Sequence, residues 1–385
     1  MRSLHVVPSL DDHMGGQVHA AVGLAAHLGA RDDMHTELAS TQRPGDDHAY
    51  LDRMAPDVPR HVFARSWPEG RFQSAGLGRW LHQAVPTFDV VHLHGVFHAP
   101  ALHVRRACRS AGVAYVLSPH GQLDPFDLAK HRLQKQVYGP VAVRPLVADA
   151  AVVVLTTALE QERLVTYGGH ARTAVVPLPV QAPGEGDRAG FRDRHGVPPD
   201  AVVVLFLSRL DVKKGLDLLV AALQGLDDLD DVWLVVAGSG DPDVEADLTR
   251  SLAGTALGRR CVRTGFISGA DKDDAFAAAD VLALPSRNEN FGIVVIEAMA
   301  AGLPVVVSDE TYVHGDITAA GAGTVCAAED AASCRRALRP LLVDAAARHE
   351  AGRRAAKLAA QRFSPDAATA AMVDVYRSLP VGALR

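Results

Sequence analysis

The chain has 385 residues with 39 Lys+Arg against 45 Asp+Glu, a net charge of −6 that argues against a nucleic-acid binder. Hydrophobic residues make up 48% and aromatic residues 5%, which suits two α/β domains of Val-, Ala- and Leu-rich parallel strands covered by helices. No apolar run approaches membrane-spanning length, no signal segment precedes the first apolar run, and Cys108, Cys261, Cys326 and Cys334 are scattered without C-x-x-C spacing; the expectation is a soluble, cytoplasmic protein with reduced thiols.

Strand and helix patterns alternate almost throughout. Residues 4–7 read as a strand, followed by Met14-Gly15-Gly16-Gln17 and a helix over 17–28. Adjacent glycines at a helix start let a diphosphate or an acceptor approach the backbone, or they simply make a tight turn. The spacing is not G-x-G-x-x-G, which weakens a dehydrogenase reading. Residues 42–75 carry little periodicity. Later strands fall at 89–94 and 114–118 with a helix near 100–109 between them. His92 and His94 share one face of their strand end. With His98 they could suggest zinc, but no carboxylate or cysteine completes the set at a usual spacing, so an acceptor pocket, or a supporting position behind one, is the preferred role for His94 and His98. Ser118-Pro119-His120-Gly121 pins a histidine at a strand's carboxyl end, and Asp124 and Lys135 beyond it are candidates for lining an acceptor cavity. Charges balance over residues 1–185, so the acidic excess lies in the second half. The local patch Lys130, Arg132 and Lys135 leaves weak peripheral contact with an anionic membrane open.

A buried strand over 150–155 and a short one over 173–176 precede a Pro- and Gly-rich stretch, residues 177–186, where a hinge is placed. Alternation restarts at 201 and runs to about 325. A helix pair spans roughly 332–361, and Ser364-Pro365-Asp366 starts a last helix. Within this half, the apolar run 202–207 is followed by Ser208-Arg209-Leu210-Asp211-Val212-Lys213-Lys214-Gly215 and an apolar-periodic helix. Arg209 and Lys214 can flank one phosphate-sized site, the first as a planar fork and the second as a point charge, or form a basic helix cap on solvent. Gly238-Ser239-Gly240 follows another strand and permits close backbone approach to a nucleotide. Asn288 to Pro304 places Glu289 in a loop and Glu297 about two turns into the helix that it opens, so the acids can reach different parts of a long ligand. The free N–H groups at Phe291 and Gly292 suit an anion.

The ordered pair Arg209-x4-Lys214-Gly215 and Glu289-x7-Glu297 resembles the retaining glycosyltransferases of family 4 (glycosyl transferases group 1). The resemblance implies the GT-B fold: two Rossmann-like domains with parallel sheets facing across a cleft. The expected division is 1–182 plus 365–385, binding the acceptor, and 187–364, binding the nucleotide-sugar, with the last helix crossing back to the first domain. Carried over from the family, Arg209 and Lys214 would neutralise the departing diphosphate, and Glu297 would accept hydrogen bonds from the ribose hydroxyls. Glu289 would hold hydroxyls of the transferred sugar. The amides of Asn290, Phe291 and Gly292 would lie close to the phosphates or sugar, Phe266 and Ile267 would receive the base, and His120 would contact the donor sugar. Gly15 and Gly16 join the nucleotide-sugar set.

The implied function is retaining transfer of a sugar from a UDP-, GDP- or ADP-linked donor to a hydroxyl of a saccharide, cyclitol or glycosylated metabolite, with no cofactor. Asp241-Pro242-Asp243 mimics a D-x-D metal motif, but the cations already present and the acidic helix start around it favour no metal requirement. The alternatives are a sugar-phosphate synthase or phosphorylase, an epimerase of the same fold, or a non-catalytic nucleotide-sugar-binding subunit; a dehydrogenase is more distant. No Ser/His/Asp constellation stands out.

Overall fold

The computed structural model describes residues 1–379 apart from 12, 13, 15, 68, 130, 131 and 227. The chain divides into two compact units, 1–179 with 365–385, and 180–364.

The first unit is built on β1 (Arg2–Ser9), β2 (His35–Gln42), β3 (Arg60–Ala64), β4 (Val90–His94), β5 (Tyr115–Ser118), β6 (Val152–Leu155) and β7 (Thr173–Val175). They pair in parallel in the spatial order 3-2-1-4-5-6-7. The inner strands β1, β4, β5 and β6 are almost wholly buried, as parallel strands covered on both faces are, whereas β3 and β7 at the two edges are partly exposed. One face packs Leu77, Leu81, Val104 and Leu146 from covering helices. The other meets the helix Gly16–Gly29 and the last helix, Pro365–Arg377, through Leu24, Leu28, Met372 and Tyr376.

Two strands, β2 and β3, fall in or beside the stretch without clear periodicity. The polar sequence of β2 masks its burial: Thr36, Glu37, Ser40 and Thr41 are all buried. Their polar atoms are satisfied locally, Thr36 by Ser3 at 3.0 Å, Thr41 by the Pro8 carbonyl at 2.7 Å, and Glu37 by Arg2, His35 and His61. Burial at low cost follows from that pairing.

The second unit contains β8 (Val202–Leu207), β9 (Val232–Ala237), β10 (Cys261–Gly265), β11 (Val281–Leu284), β12 (Val305–Ser308) and β13 (Gly323–Cys326). All are parallel, ordered 10-9-8-11-12-13. In both sheets the chain starts in the middle, builds to one side and then returns to the other. The topological switch points therefore lie between β1 and β4, and between β8 and β11, where the carboxyl ends open a crevice.

Two glycines let backbone segments meet at the carboxyl edge of the second sheet. Gly215 has φ +72, and a Cβ there would lie 2.1 Å from the Pro285 carbonyl oxygen. Gly238 has φ +143, and its Cβ would lie 1.9 Å from the Ser208 carbonyl oxygen. Gly238→Ala should therefore cost about 2–4 kcal/mol in urea unfolding, whereas Gly254→Ala should cost only about 1 kcal/mol. Gly254 also has positive φ, but a methyl group there would meet nothing within 4 Å. Equal losses would show that the crossing at Ser208 can relax.

Acid should also unfold the first unit early. Burial pushes the His5 imidazole down to about 3, and those of His92 and His94 well below their ordinary value. The unfolded chain then binds protons that the folded chain does not, so stability falls as pH drops below the unfolded value of about 6.5. Between pH 7 and 5 ordinary carboxylates stay charged, and each such imidazole steepens the loss toward about 1.4 kcal/mol per pH unit. Urea midpoints measured across that window should fall; a flat profile would mean that these rings are already protonated or solvated.

Candidate functional site

In the second unit, β8 continues beyond its last residue. Leu210 N–H donates to the Ser239 carbonyl at 3.1 Å, and Asp241 N–H donates to the Leu210 carbonyl at 2.8 Å. Arg209 is thus held on extended backbone at the strand's carboxyl end, while its side chain is 75% exposed, with Asp211 at 3.6 Å. The single turn Val212–Lys214 is capped by the Asp211 carboxylate and ended by Gly215. Because Gly215 lies against the Pro285 carbonyl, Lys214 is carried across to the β11 side of the switch point. There Lys214 Nζ pairs with Glu289 Oε2, both side chains largely buried. Glu289 is fixed through its backbone as well: its N–H donates to the Glu310 carbonyl, and its carbonyl accepts from Tyr312 N–H, each at 2.9 Å.

Gly292 caps the helix Ile293–Ala300, and Glu297 lies on that helix. Its Oε1 accepts from Lys272 Nζ at 2.6 Å, a partner on the helix Ala270–Ala278 that sequence reasoning missed. Burial raises the Glu297 carboxyl above its ordinary value, opposed by the Lys272 ammonium. The Phe291 ring packs edge-on to Phe363 at 5.8 Å, so it belongs to the core and leaves only backbone to a ligand. Phe266, directly after β10, is 76% exposed, and Ile267 follows it. At Gly238 the crossing over Ser208 already requires a glycine, so nucleotide approach is not needed to explain that residue. Asp241 caps the helix Pro242–Leu252 by accepting from Asp243 N–H at 2.9 Å.

In the first unit, Gly16 begins its helix with open space where a Cβ would be; Gly15 lies outside the described residues. His120 follows β5 with φ +51, a left-handed conformation that is costly for a residue with a side chain. The next residue secures the turn. Gly121 N–H donates to Glu160 Oε1 at 2.8 Å, and Glu160 Oε2 accepts from the Thr156 N–H and hydroxyl at 2.7 and 2.8 Å. Glu160 is a further residue that the sequence did not reveal. Its only local signal is the Thr157-x-x-Glu160 spacing at a helix start.

The acceptor-pocket assignments need correction. His94 is fully buried, with Nε2 3.0 Å from His5 Nδ1 and Nδ1 2.9 Å from His120 Nε2. His98 is buried too: its Nε2 donates to the His94 carbonyl at 2.9 Å, and its Nδ1 caps a helix by accepting from Ala101 N–H. An acceptor could reach either ring only by breaking one of these bonds. Asp124 is buried and accepts from Phe126 N–H at 2.8 Å at the start of the helix Pro125–Ala129. Lys135 donates to the Asp127 carbonyl at 2.6 Å; Lys130 lies outside the described residues. Ring nitrogens of His5, His92 and His94 fall within 4.8 Å of one another, close enough for one ion, but each has a protein partner.

No helix among the described residues is long and apolar enough to cross a membrane. The family model for "Glycosyl transferases group 1" matches residues 187–358, and that for "Glycosyl transferase 4-like domain" matches residues 15–179. The chain is 30% identical over 379 residues to D-inositol 3-phosphate glycosyltransferase 1 of Catenulispora acidiphila, covering 92% of this chain and 87% of that protein. It is 31% identical over 313 residues to the D-inositol 3-phosphate glycosyltransferase of Xylanimonas cellulosilytica, covering 77% of this chain and 73% of that protein. HepE of Anabaena, solved in complex with UDP, shares the fold at a TM-score of 0.81 and 21% identity, over 98% of this chain and 100% of its own. Two parallel sheets in this order, matched over nearly the whole length, together with both family models, lead to one conclusion: the chain belongs to the group 1, or family 4, glycosyltransferases and has the GT-B fold.

Proposed function

We propose that this glycosyltransferase moves a hexosyl group from a nucleotide-sugar to a hydroxyl of a saccharide or cyclitol, with retention and without a metal ion. The observation that carries the reading is the charge arrangement at the second switch point. Exposed Arg209 ends β8, and the loop that follows it carries Lys214 into an ion pair with Glu289, a residue whose backbone is fixed by Glu310 and Tyr312. A departing nucleoside diphosphate builds charge on its phosphate oxygens, and fixed cations and amides stabilise that charge most when they need not reorganise. Arg209 and Lys214 supply the cations, and the backbone at Asn290, Phe291 and Gly292 supplies the helix start. Glu297, oriented by Lys272, takes the ribose hydroxyls through its other oxygen; Glu289 takes hydroxyls of the sugar. Phe266 and Ile267 sit at the base. His120 hydrogen-bonds a hydroxyl of the reacting sugars. The bond from the anomeric carbon to phosphate breaks as the bond to the acceptor oxygen forms on the same face, and a phosphate oxygen receives the acceptor proton.

Uridine is the favoured base, because HepE, a neighbour in fold, was solved with UDP and with UDP-glucose. A cyclitol acceptor draws support from the relatives named for inositol phosphate. In thermal-shift measurements UDP should raise the melting temperature more than GDP, ADP or dTDP, and EDTA should leave the shift intact. A shift abolished by EDTA would instead assign a metal role. Product NMR should show the donor's anomeric configuration preserved; inversion would overturn the mechanism.

Glu289→Ala should lower transfer by at least about 100-fold. Its UDP affinity should be retained or improved, since the substitution frees the Lys214 ammonium. Lys214→Ala should weaken both UDP binding and turnover. Calorimetric titration and a UDP-release assay would check both variants; unchanged UDP affinity in Lys214→Ala would place the diphosphate elsewhere.

A further inference from the structure

Six buried or half-buried groups of the first unit form one unbranched hydrogen-bonded chain. Ser118 Oγ lies 2.8 Å from His92 Nε2, and His92 Nδ1 lies 2.7 Å from the Tyr376 hydroxyl. That hydroxyl is 3.3 Å from His5 Nε2. His5 Nδ1 is 3.0 Å from His94 Nε2, and His94 Nδ1 is 2.9 Å from His120 Nε2. The sheet explains the assembly: His5 on β1 is in register with His92 on β4, and His94 on β4 with Ser118 on β5. The His92 ring stacks on His94 at 4.3 Å between centroids, and His94 and His120, 5.2 Å apart and nearly parallel, meet edge to edge through their hydrogen bond. Tyr376 reaches the chain from the last helix.

A neutral imidazole has one N–H and one lone pair. Each inner histidine is bonded at both nitrogens, so it must donate at one and accept at the other. The Tyr376 hydroxyl, between two ring nitrogens, has a single proton to give and two lone pairs that can accept. Three arrangements therefore make all five bonds. In one, Ser118 donates to His92 and every bond points outward, leaving His120 with its proton on Nδ1. In the second every bond is reversed, so that His120 donates from Nε2 and the Ser118 hydroxyl only accepts. In the third the Tyr376 oxygen accepts from both His92 and His5, and His120 again donates from Nε2. Among the described residues, His92 is the hydrogen-bond partner of Ser118 Oγ, and Ser118 is buried. The outward arrangement uses both hydroxyl protons; each of the others leaves one, on Ser118 or on Tyr376, unpaired in the interior, at a cost of about 1–3 kcal/mol. Burial keeps the imidazoles neutral and the Tyr376 phenol protonated, so each of these groups carries a single proton.

We propose that Ser118, His92, Tyr376, His5 and His94 form a tautomer lock that holds His120 with its proton on Nδ1, so that this ring meets a sugar hydroxyl as a hydrogen-bond donor. Tyr376 and His5 are then positioning residues for the transfer reaction, acting through His120 from elements that share no covalent neighbourhood with it. The role in transfer rests on the contact between His120 and the reacting sugars proposed above; the lock itself does not.

The test is long-range proton–nitrogen NMR on the full chain labelled with ¹⁵N-histidine, where protonated and bare ring nitrogens differ in shift. Wild type should show one His120 tautomer, protonated at Nδ1. Tyr376→Phe removes two bonds, those to His92 and His5, separates the His5–His94–His120 segment from Ser118 and should reveal a second tautomer at His120. The same variant should lose about tenfold in kcat, with the donor KM little changed. Ser118→Ala should also mix the tautomers, and Ser118→Thr, which keeps the hydroxyl, should restore the single form and the rate; this pair guards against a Tyr376 variant that folds poorly. A protonated Nε2 on wild-type His120, an unchanged single tautomer in both Tyr376→Phe and Ser118→Ala, or one equivalent of tightly bound zinc in the purified protein would overturn the lock. Full transfer activity in His120→Ala would instead remove His120 from the reaction, and with it the positioning role, while leaving the NMR result standing.

Discussion

Parallel pairing at two switch points is the constraint on which the rest of the structure depends. A parallel sheet sends every crossover to the same edge, and where the strand order reverses, adjacent loops leave in opposite directions. Backbone N–H groups, glycines and polar side chains collect there because the interior of each sheet has no room for them. In this protein both sheets reverse after their third strand, between β1 and β4 and between β8 and β11. Each unit thereby gains one edge at which residues from distant parts of the chain meet.

The two edges solve the problem of burying polarity differently. The second unit uses charge, pairing Lys214 with Glu289 and Lys272 with Glu297. Partly buried ions are tolerated when paired, and removing one partner leaves the other uncompensated. Arg209 differs from both lysines in keeping its side chain largely in solvent, with only the half-exposed Asp211 at 3.6 Å. The first unit uses neutral imidazoles, whose two ring nitrogens can each be satisfied within a chain. Such a network imposes direction, because a donor at one position demands an acceptor at the next. The strained turn at His120 sits at its end and is clamped by Glu160.

Much of this was legible in sequence where the signal is local. The apolar run 202–207 with its glycine-closed basic loop, the acids of Asn288 to Pro304, and His120 between Pro119 and Gly121 each carry their chemistry within a short segment. The strand β2 was hidden because its buried Thr, Ser and Glu residues look like surface until their partners are known. His94 and His98 were legible as histidines near a strand end but not as interior ones, since burial depends on what covers the sheet. That cover includes Tyr376, 284 positions from His92.

By itself the sequence determined the alternation of strands and helices, the family, and the side chains at the carboxyl ends of the strands, because period, turn chemistry and spacing are local properties of the chain. Only the tertiary structure decided the partners: Lys272 for Glu297, Glu160 for the His120 turn, and His5 and Tyr376 for the imidazole chain. The physical reason is that hydrogen bonds and ion pairs depend on distance in space, and strand order, which sets those distances, is not written in any single segment.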